Sequence, residues 1–288
     1  MSVEAATDKR LVRRAFDHAA VTYDAAAVLQ HEVCRRMLDR LDYIRHEPTA
    51  ILDAGTGTGN VLAPLRARYP RAAIFALDIA EGMLRQARAR ATLWQRWTGH
   101  GVLPICGDIE ALPLRRAAVG MAWSNLALQW TDDLPRAFAE FRRVLAPGAL
   151  LMFSTFGPDT LKELRHAYES VDRYTHVNRF IDMHDIGDML VHGGFADPVM
   201  DMEYITLTYA DVRTLMRELK AIGAHSVTAG RRAGMTARAT LAAVERSYET
   251  MRHDGTLPAT FEVIYGHAWA PLPRTTVDGK PIIPIRPA

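Results

Sequence analysis

The segment Asp53-Ala54-Gly55-Thr56-Gly57-Thr58-Gly59 follows a short apolar run, 49–54, that reads as a strand. Glycines at such a strand-to-helix turn let the backbone bend sharply and let a ligand approach it closely. A dinucleotide site needs Gly-x-Gly-x-x-Gly, with a helix N-terminus facing a pyrophosphate. Here the third glycine arrives one position early, and Asn60 occupies the place that pattern reserves for glycine. Asp78, roughly 20 residues on, ends a second apolar run and stands where a carboxylate accepts from both ribose hydroxyls. A third acid, in Gly107-Asp108-Ile109, closes a third run. A lone aspartate at a strand end is usually a cap or turn residue. Three acids at three successive strand ends, one opening a glycine loop, point instead to a nucleoside-containing ligand.

The order acidic-x-Gly-x-Gly-x-Gly resembles motif one of the class I S-adenosylmethionine-dependent methyltransferases. That resemblance implies S-adenosylmethionine as donor, S-adenosylhomocysteine as product and no metal. It assigns Asp53, Gly55, Thr56, Gly57 and Gly59 to the amino-acid and sulfur end of the donor and Asp78 to the ribose. Ile79 and Met83 would flank the adenine, with Gly107, Asp108 and Ile109 at its edge. The amine-methyltransferase signature Asn-Pro-Pro-Tyr is absent after the fourth run, where Ser124-Asn125-Leu126-Ala127-Leu128-Gln129-Trp130 stands instead. No nucleophile and no acid–base dyad is evident. Methyl transfer from a sulfonium is an in-line displacement that chiefly needs alignment. An ionised carboxylate acceptor needs no general base, whereas an amine, phenol or carbon usually does. The absence of a base therefore favours a carboxylate acceptor.

Three further stretches narrow the resemblance: RRAFDHAAVTYDAAAVLQHEV; WSNLALQWTDDLPRAFAEFRRVLAPGALLMFSTFGPDTLKELR; and VNRFIDMHDIGDMLVHGGFADPVMD with LKAIGA. Together they resemble the malonyl-acyl-carrier-protein O-methyltransferases of biotin synthesis, from about Arg13 to Trp269. Thr56 replaces a frequent cysteine and Ala149 a frequent glycine, both mild departures. The resemblance implies methylation of the free carboxyl of a malonyl thioester, carried on acyl carrier protein or coenzyme A. Esterification would let the chain enter an apolar acyl tunnel as a pimeloyl precursor, since a carboxylate there is costly to bury. It also implies that Tyr23 touches donor and acceptor, that Gln30 reaches the donor carboxylate, that Asn125 and Gln129 face the substrate, and that Arg179 clamps the malonyl carboxylate. The alternatives are an arginine hydroxylase like the related complex I assembly factor, or another small-molecule methyltransferase. Acyl carrier protein is acidic, so a basic docking patch is expected among Arg10, Arg13, Arg14, Lys220, Arg231 and Arg232.

These residues need a scaffold that presents successive strand ends at one edge. Apolar runs at 49–54, 73–78, 102–108, 119–125 and 149–155 are what strands covered on both faces look like. Helical spacing in 81–90 and 132–148 alternates with them, the latter ended by Pro147-Gly148. Strand–helix–strand repetition implies right-handed crossovers and a parallel sheet. Runs 197–210 and 260–270 add two strands, the last with a period of two that suits an antiparallel strand, and 211–224 and 236–252 read as helices. The expected fold is α/β, a class I methyltransferase (Rossmann-like) seven-stranded, mostly parallel sheet with helices on both faces. An N-terminal helical cover, 1–46, would precede a methyltransferase domain, 47–270, with lid insertions around 157–184 and 210–255. A proline-rich tail, 271–288, ends the chain.

Bulk composition narrows the remaining classes. The net charge of +2 lacks the basic excess of a dedicated nucleic-acid binder. The two cysteines, Cys34 and Cys106, form no metal or disulfide pattern, and His176, His184 and His225 lack metal-site spacing. Trp94 and Trp97 read as packing residues. With no apolar signal segment and no membrane-length run, a cytoplasmic monomer is expected.

Overall fold

In the computed structural model, residues 8–90, 102–169, 171, 174, 176–223 and 238–273 are described. Seven strands form one sheet: β1 (Ala50–Ala54), β2 (Ala73–Asp78), β3 (Leu103–Cys106), β4 (Val119–Ser124), β5 (Leu145–Phe156), β6 (Ala196–Tyr209) and β7 (Leu257–Trp269). Their order is β3-β2-β1-β4-β5-β7-β6. β1 to β5 pair in parallel, and β7 runs antiparallel between β5 and β6. The order reverses between β1 and β4. Ligands of open parallel sheets lie in the crevice that such a reversal opens at the carboxyl ends of the strands.

The central strands are apolar on both faces because helices cover both. Ile51, Ile74, Met121, Leu150 and Met152 pack on one side with Val33, Met37 and Leu41. Leu52, Leu77, Ala122, Leu151 and Phe153 alternate to the other, against Phe138, Phe141, Ile186 and Leu190. The first face is covered by α3 (Val28–Arg40) and α4 (Leu62–Arg68), and the second by α6 (Leu134–Val144) and α8 (Met183–His192). Edge strand β6 alternates half-buried and exposed positions along most of its length, as one covered face requires.

The helix expected over 132–148 ends at Val144 instead, and β5 begins at Leu145, paired with Val119. Pro147 drives Ala146 out of the helical region, so the helix cannot run through to 148. Leu145 therefore belongs to the strand, not to the apolar stripe of the helix. β3 is shorter than its apolar run and releases Gly107 and Asp108 into the loop that follows.

Two sets of helices stand over the strand ends. The N-terminal set is α1 (Lys9–Ala19), the short α2 (Tyr23–Ala26) and α3. The other comprises α7 (Lys162–Glu169), α9 (Val212–Ala221) and α10 (Arg238–Glu249). The buried Glu262 on β7 anchors the chain that leads into α7: its carboxylate accepts from Asp159 N at 2.7 Å and its backbone carbonyl from Gly157 N at 2.9 Å. The two sets meet where Gly223, just past α9, lies against Phe16 of α1. Arg231, Arg232, His225, Trp94, Trp97 and the tail from 274 onward lie outside the described residues. Among those described, no helix is long and apolar enough to cross a membrane.

Candidate active site

The glycine loop leaves β1 and folds back on β2: the amides of Gly55 and Thr56 both donate to Leu77 O, at 2.8 and 2.9 Å. Gly57 N then donates to Asp78 Oδ2 at 2.9 Å, while Asp78 Oδ1 accepts from Ala80 N at 2.8 Å. One carboxylate thus joins the loop to the start of α5 (Glu81–Ala89). Asp53 lies beneath the loop and accepts from Thr56 Oγ1 at 2.5 Å.

A cavity opens above this turn. Tyr23, Gly55, Gly57, Asp78, Ile79, Met83, Gly107, Asp108, Ile109 and Asn125 line it. Asp53, Thr56 and Gly59 do not; they support the loop from behind. A Cβ on Gly59 would meet Leu62 and Ala87, at 2.6 and 3.0 Å, so this glycine serves the packing of α4 against α5 rather than ligand contact. The sequence reading missed Lys9, Val12 and Phe16, which line the cavity together with Leu77, Leu126, Ala127, Trp130 and Thr131. Their signal was the helical spacing of Lys9, Val12 and Phe16 on one face of α1.

α1 is tied down at both ends. Lys9 Nζ reaches Asp108 Oδ2 at 2.5 Å and Glu110 Oε2 at 2.7 Å. Asp17 Oδ1 accepts from Gly82 N at 2.7 Å, supplying from α1 the cap that α5 lacks in its own sequence. Beyond α1, Asp24 accepts from Thr58 Oγ1 at 2.5 Å and pairs with Arg90.

A second, larger cavity adjoins the first, about 620 Å³ against about 80 Å³ by the same measure. Trp130 lines both, and its ring packs edge-on against Phe16 at 5.3 Å. The second cavity is walled by Phe156, Leu161, Leu164 and Phe180, with Gln30, Gln129, His176, Asn178, Glu218 and Lys220 among its polar residues. Gln30 is therefore not at the donor loop. Its carbonyl accepts from Asn125 Nδ2 at 3.0 Å, and its side chain lies on the second cavity. Asn125 is held on its other side by Ser154 Oγ, which donates to Oδ1 at 3.0 Å.

Arg179 departs from its expected place. It is exposed and lines neither cavity, while Val177, Asn178 and Phe180 of the same extended segment do. Lys220 is the lysine or arginine that the second cavity presents among the described residues.

Burial pushes the Asp53 carboxyl up to about 7, opposed by its Thr56 hydrogen bond. Burial likewise pushes Asp78 up to about 6, opposed by the Ala80 and Gly57 amides. The Tyr23 phenol is raised by burial and by the charges of Asp78 and Asp24, so it stays protonated at neutral pH. Two buried carboxylates without a cation favour a ligand that brings positive charge, as S-adenosylmethionine does on its sulfonium and ammonium.

A carboxyl whose pKa is raised by folding favours the fold below its unfolded value near 4, and that contribution is lost as pH rises through about 6 to 7. The donor-free protein should gain melting temperature as pH is lowered from about 8 to about 6. Asp53→Asn should raise the donor-free melting temperature at pH 8 by about 3 °C and weaken S-adenosylmethionine binding. Differential scanning fluorimetry with and without donor checks both; an unchanged or lower melting temperature refutes the burial argument.

Fold and cavity together define a class I S-adenosylmethionine-dependent methyltransferase. A "Methyltransferase domain" family model matches residues 52–153. The particular family is narrower. The chain is 57% identical over 277 residues to a "Malonyl-[acyl-carrier protein] O-methyltransferase" of Gallionella capsiferriformans, covering 96% of each chain. It is also 57% identical to the protein of that name from Nitrosospira multiformis, covering 94% of this chain and 92% of the other. The chain belongs to the malonyl-[acyl-carrier protein] O-methyltransferase family. A putative methyltransferase from Bacillus halodurans shares the fold, with a TM-score of 0.57, 20% identity, and coverage of 81% of this chain and 97% of the other.

Proposed function

We propose that the protein methylates the free carboxyl of a malonyl thioester carried on acyl carrier protein, the step that opens pimeloyl synthesis for biotin. The observation that carries this reading is the 57% identity over 96% of the chain. Bound S-adenosylmethionine supplies an activated methyl group. In this reading Gly55 and Gly57 border the amino-acid and sulfur end, Asp78 holds the ribose through its carboxylate, Ile79 and Met83 pack on the base, and Asp108 accepts at its edge. Tyr23 and Asn125 border the transfer point. Tyr23 orients rather than deprotonates, because its phenol keeps its proton. That suits an acceptor already ionised at neutral pH.

The direct test incubates the protein with methyl-labelled S-adenosylmethionine and malonyl-acyl carrier protein. A base-labile methyl ester is expected; a base-stable label, or none, refutes the reading. Arg10 and Arg14 on α1 and Lys220 on α9 are exposed, on the two covers that flank the cavities. An acidic carrier would meet them there. Raising salt from about 0.05 to about 0.5 M should lower kcat/KM for the carrier-bound substrate roughly tenfold and leave a small malonyl thioester nearly unaffected. Equal salt sensitivity of the two substrates would remove this docking surface.

A further inference from the structure

Two amide side chains of the second cavity hold oxygens that bond to nothing. Gln30 Oε1 and Asn178 Oδ1 are buried, and neither has a hydrogen-bond partner among the described residues. Both residues line the cavity, one from α3 and one from the segment before α8, with the two oxygens themselves turned away from its open space. Burying an acceptor without a donor is unfavourable, and native structures rarely leave one so unless something else supplies the bond. Terminal amide torsions are soft, so either oxygen can swing toward a ligand at small cost.

Both atoms are acceptors, so the missing partner is a donor. A malonyl group offers none: its carboxylate and its thioester carbonyl only accept. The thiol that carries it does, because a pantetheine arm bears two amide N–H groups on a largely apolar chain. The cavity matches that mixture, with Phe156, Leu161, Leu164 and Phe180 along its wall. Gln30 is also joined through its carbonyl to Asn125, which lines the donor cavity, so it stands at the end where the acyl group must arrive.

We infer that Gln30 and Asn178 accept the amide N–H groups of the carrier's pantetheine arm, so that the second cavity selects malonyl thioesters by the thiol that bears them. This rests on the carboxyl-methylation reading above. Free malonate and simple alkyl malonyl thioesters fill the same space without satisfying either oxygen. A site built to bond a group discriminates strongly against analogues that lack it.

The test compares kcat/KM for malonyl thioesters of pantetheine, of N-acetylcysteamine and of propanethiol, which carry two, one and no amides. The wild-type protein should lose roughly tenfold for each amide removed. In Gln30→Leu and Asn178→Leu, the ratio between the pantetheine and propanethiol thioesters should shrink roughly tenfold, whatever the absolute rates. Titration with S-adenosylhomocysteine reports whether each variant is folded. If a variant loses donor binding, the wild-type series alone decides. A wild-type protein that treats the three thioesters alike, or variants that keep the wild-type ratio, overturns the inference while leaving carboxyl methylation intact. A protein that methylates no malonyl thioester, carrier-bound or free, overturns the reading itself and this inference with it.

Discussion

Asp78→Ala is expected to weaken S-adenosylhomocysteine binding by two to three orders of magnitude, since about two hydrogen bonds to a charged acceptor vanish together. The carboxylate has two tasks. It holds the glycine loop to α5 through Gly57 N and Ala80 N, and it presents its remaining lone pairs to the cavity. Alanine removes both. Asp78→Asn keeps the shape and one acceptor, so its loss should be smaller, roughly tenfold. The pH profile separates charge from shape. Donor binding favours the ionised carboxyl, so affinity is highest above about 6 and falls as pH drops through that value. Asp53 adds a second limb near 7. Isothermal titration across this range should show the limb near 6 disappear in Asp78→Asn and the limb near 7 disappear in Asp53→Asn. An alanine variant within threefold of wild type would refute the role given to Asp78.

What the sequence made legible follows from what a short stretch of residues can encode by itself. β1, β4 and β5 are covered on both faces, so their apolar runs mark them directly. Asp53, Asp78 and Asp108 could be placed because the parallel sheet brings successive strand ends to one edge. Lys9, Val12 and Phe16 carry only the spacing of an amphipathic helix. Nothing local distinguishes a helix facing a ligand cavity from one facing a core. The structure places Gln30 on the second cavity and Arg179 at the surface. A resemblance can carry a role to a position, but the direction a side chain takes depends on its neighbours. In the segment at 176–180, Val177, Asn178 and Phe180 line the second cavity and Arg179 is exposed. Gly59 shows the converse: a motif glycine whose freedom serves the contact between two helices.

The same distinction makes Gly55→Ala the most damaging single methyl that can be added to the donor loop. Gly55 has φ +80°, a left-handed conformation that an L side chain adopts at a cost of about 1–2 kcal/mol. Its missing Cβ would stand 2.2 Å from the Cβ of Ala127, in the turn after β4. No rotamer relieves that clash, because neither group has a torsion to turn. The loop must leave Leu77 O, or the turn carrying Asn125 and Trp130 must shift. Strain and overpacking together should cost about 3 kcal/mol and roughly 6–12 °C of melting temperature, with donor binding lost. A double-mutant cycle with Ala127→Gly separates the two causes. That change removes the clash and leaves the backbone strain, so it should return about 2 kcal/mol to Gly55→Ala while costing wild type under about 1 kcal/mol. Full recovery would mean the positive φ carries no strain. No recovery would mean that the close approach of the glycine loop to the β4 turn is not what Gly55 permits.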